Sequence, residues 1–460
     1  IYKYKKRDFH VKWTFAELVR WRFNFVAADE LHHYANESSK RNQALEHVTG
    51  STRLGLTGTP MKGYPEKILP LINWVFPREV FPDYREYDPE GTSRWNKKYQ
   101  LVVNIDATEL ADGTMSGGER KRLPKINNPA LFQAEMSSLI LRRVRHEPQV
   151  VKDVPPYDIQ RNRIEVPMDD EHKAYYQKWL NAFSEWWAEM KRERDGVNVE
   201  AGSILTKLTY LANASFIPHY MLDPIRQGKD VEGQRWAKII GQYKGPVVAK
   251  MKKAWALIRE FIARGEKGLV FSYRTKNSDL GHLWCKKQGF ASMVVDGRIQ
   301  LTTKSGMDRS ERHLLVQQFR ERDYQVMWAG TNALAEGMNI PEANNGIVMD
   351  YYWEDIATRQ AIGRMLRIQQ QNKVTANYLL HKGAIDSYMA ALSELKARST
   401  DEAIDYMQFD DFHVDMVPDI KAYANAIVDG TTEVLTRKMW TAIDFMNKKA
   451  DEEGDYGNTD

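Results

Sequence analysis

Two sets of side chains in this sequence have the types and spacing that chemistry on an anionic group requires. Gln360, Arg364 and Arg367 fall four and three residues apart, which puts them on one face of a helix. Two guanidiniums a helical turn apart, with the small Gly363 beside them, suit the clamping of an anion brought in by another domain. The second set lies far upstream, where Asp29 and Glu30 follow the apolar run from Phe23 to Ala28. Carboxylates at the carboxyl end of a parallel strand sit where open α/β sheets take their ligands. Phosphoryl transfer uses such a pair, one acid holding a metal's water shell and the other orienting the attacking water.

The elements that must position these groups are legible as periodic apolar patterns. Val326 to Trp328 and Ile347 to Met349 read as buried parallel strands that end in polar residues, and Ala361, Ile362, Met365, Leu366 and Ile368 are left to pack behind the arginine-bearing helix. Arg53 to Pro60 is a short strand closed by Thr57, Gly58, Thr59 and Pro60, where Gly and Pro force a turn and two hydroxyls can reach Asp29, Glu30 or the backbone. A helix over 65–75 follows, apolar at Ile68, Leu71, Ile72 and Val75. Between Asp169 and His219 the spacing predicts helices, with Tyr176, Trp179, Phe183, Trp186, Trp187 and Met190 forming a core stripe. From Gly245 an amphipathic helix (Val248, Met251, Trp255, Ile258, Ile262) leads into a strand over 268–273, another over 293–297, and a helix over 310–320 with Leu314, Leu315 and Phe319 inward. With Ala376 to Leu380, this makes five strands alternating with helices.

Composition sets wider bounds. At 460 residues the chain has room for two or three domains. Its 42% hydrophobic and 28% charged content is that of a soluble globular protein, with no secretory signal and no apolar run long enough to cross a bilayer, so no membrane partner is expected. The single cysteine, Cys285, excludes an intrachain disulfide framework and a cysteine zinc cluster, and fits a reducing compartment, cytoplasmic or nucleoid/nuclear, not secreted. A net charge of +4 permits nucleic-acid binding without arguing for it. The basic run Arg120, Lys121, Arg122 and Lys125 suits either a phosphate backbone or solvent.

The segment from Thr331 to Asn339, followed by Gln360 to Gln370, resembles motifs V and VI of superfamily-two helicases of the Swi/Snf DNA-translocase type. Asp29 and Glu30 match that family's motif II, with Leu31 where Ala is usual; Thr57, Gly58 and Thr59 resemble motif III, and 268–273 motif IV. Leu139 to Arg145 with Val154, Pro155 and Pro156 is similar to the linker that joins the family's lobes. The resemblance implies an α/β fold of two RecA-like parallel-sheet lobes, the first incomplete, with helical insertions: a partial first lobe over 1–140, linker and insertion over 141–244, a second lobe over 245–395, and a helical tail with an acidic end over 396–460. It implies ATP with Mg at Asp29 and Glu30, nucleotide contacts from His32, Gly337, Asn339, Gln360 and Gly363, arginine fingers at Arg364 and Arg367 that reach the triphosphate held by the other lobe, and coupling through Thr57, Gly58 and Thr59. Ser272, Arg274, Thr331 and Asn332 sit where the family contacts the sugar-phosphate backbone of double-stranded DNA. Open alternatives are a strand-separating helicase, a restriction-type motor subunit, or an ATPase-inactive nucleic-acid-binding derivative. Residues 115–120 look like the signature loop of ABC-type ATPases, but Leu139 to Leu141 runs into Arg142 and Arg143 instead of Asp-Glu, so Ser116 to Gly118 reads as a flexible loop.

No Gly-x-x-x-x-Gly-Lys-Ser/Thr occurs in these residues, so no lysine and Gly-rich nest is at hand for the β- and γ-phosphates. In the resembling family that loop lies farther upstream of the Asp-Glu motif than the 28 residues before Asp29, and the chain starts at Ile1, so the sequence reads as the later part of a longer translocase. Strands missing from the first lobe's sheet would leave edges and apolar surface exposed. The purified 460-residue chain is accordingly expected to hydrolyse ATP poorly or not at all, and robust turnover in a phosphate-release assay would overturn that expectation.

Overall fold

The computed structural model describes residues 2–6, 9–13, 15–20, 22–36, 39–61, 65–76, 89–105, 119–143, 147–152, 159–193, 201–299, 310–335, 338–353, 356–404 and 420–455. Gly337, Ser116 to Gly118 and Val154 to Pro156 lie outside the described residues. The chain divides into two compact units, one of residues 1–142 and 395–414, the other of residues 143–394 and 415–460.

The first unit opens on an antiparallel pair, β1 (Tyr2–Lys6) and β2 (Phe9–Trp13), and a short α1 (Phe15–Val19). Then come β3 (Phe25–Ala28), a 3₁₀ turn over Leu31–Tyr34, α2 (Lys40–His47), β4 (Thr52–Gly55), α3 (Leu69–Val75), α4 (Pro89–Tyr99), a hairpin of β5 (Gln100–Ile105) and β6 (Glu119–Ile126), and α5 (Pro129–Met136). Local signals start the helices: the Ser39 hydroxyl accepts from Asn42 N at 3.1 Å ahead of α2, and Asn128, followed by Pro129, caps α5. One core gathers Trp95, Tyr99 and Phe132 edge to face, with Ile68, Leu69 and Ile72 beneath. β3 and β4 pair in parallel, Phe25 with Thr52 and Ala27 with Leu54. Their inner face (Val26, Ala28) packs on Leu31, Leu45, Leu71 and Trp74. Their outer face is about half exposed: Phe23 is 53% exposed, Phe25 57%, Leu54 43% and Leu56 47%.

The second unit contains α6 (Pro148–Val151), β7 (Gln160–Val166), α7 (Asp170–Glu193), α8 (Ala201–Phe216), α9 (Leu222–Gln227), α10 (Val231–Ile240), α11 (Ala249–Ala263), β8 (Lys267–Ser272), α12 (Thr275–Lys287), β9 (Ser292–Val295), α13 (Glu311–Glu321), β10 (Val326–Gly330), α14 (Thr331–Ala335), β11 (Ala343–Val348), α15 (Ile356–Gly363), β12 (Thr375–His381), the start of α16 (Ile385–Ile404), α17 (Ile420–Val428) and α18 (Thr432–Asp455). Its sheet has six strands, all parallel, in the order β7-β12-β11-β8-β10-β9. Five are the expected strands; the sixth, β7, comes from the stretch read as linker, where only Ile164 and Val166 gave an apolar signal among polar neighbours. In α13, Val316 and Phe319 are buried while Leu314 and Leu315 are half-buried, so the inward face is rotated from the expected one.

The helical insertion meets this sheet through buried polar groups beside a buried ion pair. Tyr176, Trp179, Phe183, Trp186 and Trp187 are all buried along α7. Lys250 of α11 donates to Asp386 Oδ2 at 2.5 Å, which also accepts from the backbone N of His381 at 2.7 Å. Ser215 Oγ lies 3.0 Å from His381 Nδ1, and His172 Nε2 donates to the Ala214 carbonyl at 2.8 Å, with the two imidazoles 5.0 Å apart. Burial pushes both imidazole pKa values down, and the nearby Lys250 adds to it. A histidine held neutral in the fold gives up stability as the unfolded chain takes its proton. Stability is therefore whole above the ordinary value of 6.5, falls as pH drops below it, and levels off below the depressed folded values. Urea midpoints of the chain between pH 7.5 and 5 should decline, and His172→Gln should flatten part of that decline; a flat wild-type profile would show that these rings are not buried neutral.

Candidate functional site

In the first unit, the acids stand where parallel pairing of β3 and β4 puts them. Leu56 N donates to the Ala28 carbonyl at 2.8 Å and Leu31 N to the Leu56 carbonyl at 2.9 Å, so the two strand ends are laced together around Asp29 and Glu30. Asp29 is exposed, and its Oδ1 accepts from Glu30 N at 2.9 Å. Glu30 takes a left-handed conformation, φ 48°, found at no other non-glycine among the described residues. Its Oε2 is buried without a hydrogen bond, 3.2 Å from Nδ1 of the buried His32. That nitrogen lies 2.8 Å from Thr57 Oγ1, which in turn accepts from Thr59 N at 3.1 Å. Asp29, Glu30, His32 and Thr57 are thus one constellation, with exposed Gly58 and half-buried Thr59 at its rim.

Among the described residues no group of three or more His, Cys, Asp or Glu side chains is placed to hold a metal. Two carboxylates suffice for Mg, which keeps most of its waters and takes further ligands from substrate phosphates. The second oxygen of exposed Asp29 is open to such a role, whereas Glu30 Oε2 is turned in on His32 and leaves only its other oxygen for one.

In the second unit, six strands running one way bring their carboxyl ends to a single edge. Thr331 follows β10, buried, with an Oγ1 that has no hydrogen-bond partner, and Asn332 beside it is exposed. Asn339 is exposed as well. Ser272 and Arg274 turn inward: the Ser272 hydroxyl donates to Asp350 Oδ2 at 2.5 Å, and the Arg274 side chain is only 14% exposed. Asp350, fully buried, also accepts from Tyr273 N at 2.7 Å and from Asn277 Nδ2 at 3.0 Å. The one sequence signal that marks Asp350 is the apolar run before it, as with Asp29.

The arginine-bearing stretch departs from the expected helix. α15 ends at Gly363, and Arg364 and Arg367 lie in the turns beyond it, so Gln360, Arg364 and Arg367 do not share one helical face. The Arg364 carbonyl accepts from Ile340 N at 2.9 Å, and the Gln370 side-chain amide donates to the Met365 and Ala343 carbonyls at 3.0 and 2.9 Å. These partners divert the carbonyls a continuing helix would need, next to a glycine that holds helix weakly. Ala361, Ile362, Met365 and Leu366 are buried as expected, whereas Ile368 is 75% exposed because the turn carries it outward. Gln360, Gly363, Arg364 and Arg367 are half-buried.

Residues 7–216 match the family model described as the SNF2-related domain, and residues 250–369 match the helicase conserved C-terminal domain. The putative ATP-dependent helicase/translocase YwqA of Bacillus subtilis is 21% identical over 389 residues, covering 84% of this chain and 36% of that protein. The DNA annealing helicase and endonuclease ZRANB3 of Mus musculus is 24% identical over 386 residues, covering 82% of this chain and 30% of that protein. The chain spans about a third of the length of these relatives. Among solved structures, the Sulfolobus solfataricus SWI2/SNF2 ATPase core in complex with dsDNA aligns over 92% of this chain and 74% of that one, at 19% identity and a TM-score of 0.38.

Thr57 anchors the first constellation through a buried ring, and losing that bond should cost about 1 kcal/mol. Thr57→Val is expected to lower the unfolding midpoint of the first unit, followed by hydrogen exchange at β3 and β4, while Thr57→Ser leaves it nearly unchanged. Equal exchange in all three proteins would remove the bond from the account.

Proposed function

Because the chain belongs to the Swi/Snf-type superfamily-two helicases, we propose that it is the motor portion of an ATP-dependent translocase that moves along double-stranded DNA without separating the strands. The carrying observation is positional. Asp29, Glu30 and Thr57 follow the ends of adjacent parallel strands in one unit, and Thr331 and Asn332 follow the end of β10 in the other, in the order in which the two family models match.

Asp29 and Glu30 would hold magnesium through its water shell, and the Glu30 carboxylate would orient the attacking water. Bound with ATP, magnesium supplies charge screening at the phosphates. His32 and Thr57 fix the direction in which Glu30 points, and Thr57 to Thr59 pass its state to the surrounding backbone. Arg364 and Arg367 offset charge that develops on the transferring phosphoryl group, with Gln360, Gly363, Gly337 and Asn339 shaping the nucleotide's surroundings. Exposed Asn332 is the group best placed to meet a sugar-phosphate backbone, a contact that carries no base specificity. No helix among the described residues is long and apolar enough to cross a membrane, and the motor works wherever its DNA is held, in cytoplasm, nucleoid or nucleus.

Arg364→Ala and Arg367→Ala in the full-length protein test this reading. Each should lower DNA-stimulated ATP turnover by roughly 10³-fold or more, as removal of an arginine finger does, with DNA affinity nearly unchanged. Collapse of DNA affinity with turnover per bound enzyme intact would reassign both residues to DNA.

A further inference from the structure

The loop after β8 is gripped from two sides. On one side, Arg274 Nε donates to Asn213 Oδ1 of α8 at 2.9 Å, and its guanidinium lies 4.4 Å from the centre of the Phe216 ring. Its Nη1 is 3.6 Å from Asp350 Oδ2. Asp350 ties down the rest of the loop through Ser272, Tyr273 N and Asn277. On the other side, the Tyr273 hydroxyl lies 3.2 Å from Thr358 Oγ1, and its ring stacks on Tyr352 at 5.5 Å. Thr358 is fully buried on α15, the helix that ends just before Arg364.

We propose that Arg274 is a positioning residue, which fastens the strand-end loop to helix α8 of the insertion and, through Asp350 and Tyr273, sets the placement of α15 and the arginines that follow it. The chain of contacts runs Asn213, Arg274, Asp350, Tyr273, Thr358. Every link is a hydrogen bond or an ion pair whose atoms are mostly withdrawn from solvent. For Arg274 to reach a phosphate backbone it would have to leave Asn213 and the Phe216 ring and separate from a fully buried carboxylate. A shift of α8 moves Asn213 and Phe216 together, and the guanidinium held between them and Asp350 carries that shift to the loop. The insertion thereby has a direct mechanical connection to the arginine segment. The role assigned to Arg364 and Arg367 in this inference rests on the translocase reading; the connection itself does not.

The test separates the two. Hydrogen exchange of amides 356–363 is measured in the present chain for Arg274→Gln, Arg274→Lys, Tyr273→Phe and Asn213→Ala. Arg274→Gln should speed exchange about tenfold, and Tyr273→Phe, which removes one oxygen and opens no cavity, about fivefold, the scale of one buried hydrogen bond. Arg274→Lys, which keeps the charge but cannot bond Asn213 and Asp350 together, should resemble Arg274→Gln. In the full-length protein, the same variants should slow DNA-stimulated turnover while the salt dependence of DNA affinity stays as in wild type. Unchanged exchange at 356–363 in Tyr273→Phe overturns the proposal even if Arg274→Gln fails to fold. So does a salt slope that falls by about one phosphate contact in Arg274→Gln but not in Arg274→Lys. If the wild-type full-length protein neither binds DNA nor responds to it, the translocase reading fails, while the exchange measurement still decides the positioning role.

Discussion

A parallel sheet has to be covered on both faces, because each connection between its strands crosses over one face or the other. In the second unit that constraint is met: β8, β10 and β11 are buried almost throughout, with α11 packing on Val270, Val326, Ile347 and Leu379. The functional edge follows from the same constraint. Strands that run one way end together, so their backbone donors and polar side chains collect on one side of the sheet and must find partners there. Asp350 is the main partner, which is why Ser272 and Arg274 turn in while Asn332, two strands from β11, does not. In the first unit the constraint is visible by its breach. β3 and β4 cover one face and leave four large apolar side chains about half in water on the other, and burial of each such side chain is worth about 1.5–3 kcal/mol. That face, next to Asp29 and Glu30, favours a covering layer.

How much of this was legible depended on how strongly each element's pattern differed from its surroundings. The five apolar strands of the second unit, the tryptophan stripe of α7 and the amphipathic α11 announced themselves, because each buries a continuous stripe or run. β7 did not, since an edge strand with Gln160, Arg161, Asn162 and Arg163 facing outward or along the edge carries little apolar signal. The end of α15 was missed for another reason. Nothing in the side-chain spacing of 356–371 shows that Ile340 N will take the Arg364 carbonyl, because that partner comes from a different loop. The inward turn of Arg274 was hidden in the same way, since Asn213 and Phe216 lie about sixty residues upstream, in a segment whose place against the loop is set only by the tertiary fold.

The buried ions of the second unit lie where sequence reading is weakest and where they constrain most. Lys250 of α11 with Asp386 at the start of α16, and Arg274 just past β8 with Asp350 just past β11, each join segments far apart in the chain. Taking two charges out of water offsets most of their attraction, so such pairs add little net stability, yet removing one partner leaves a charge stranded at a cost of about 3–5 kcal/mol. Their effect is on uniqueness. An apolar contact between α8 and the sheet would tolerate sliding, whereas Ser215 meeting the His381 ring and Asn213 meeting the Arg274 guanidinium fix one register.

Glu30 shows the same logic inside the first constellation, at the cost of backbone strain of about 1–3 kcal/mol for a non-glycine in the left-handed region. Asparagine or glycine would sit there more easily, but neither offers a carboxylate. Leu31, the next residue, holds the conformation: its N donates to the Leu56 carbonyl, and its side chain is seated so closely on Gly55 that a Cβ there would fall 2.3 Å from it. A side chain at position 55 would press on Leu31, and the closure of the strand ends places Glu30 beside His32 while Asp29 remains open to solvent. Two adjacent acids in one sequence thus acquire different surroundings, Asp29 exposed and accepting from Glu30 N, Glu30 strained, half-covered and with Oε2 turned in beside the His32 ring.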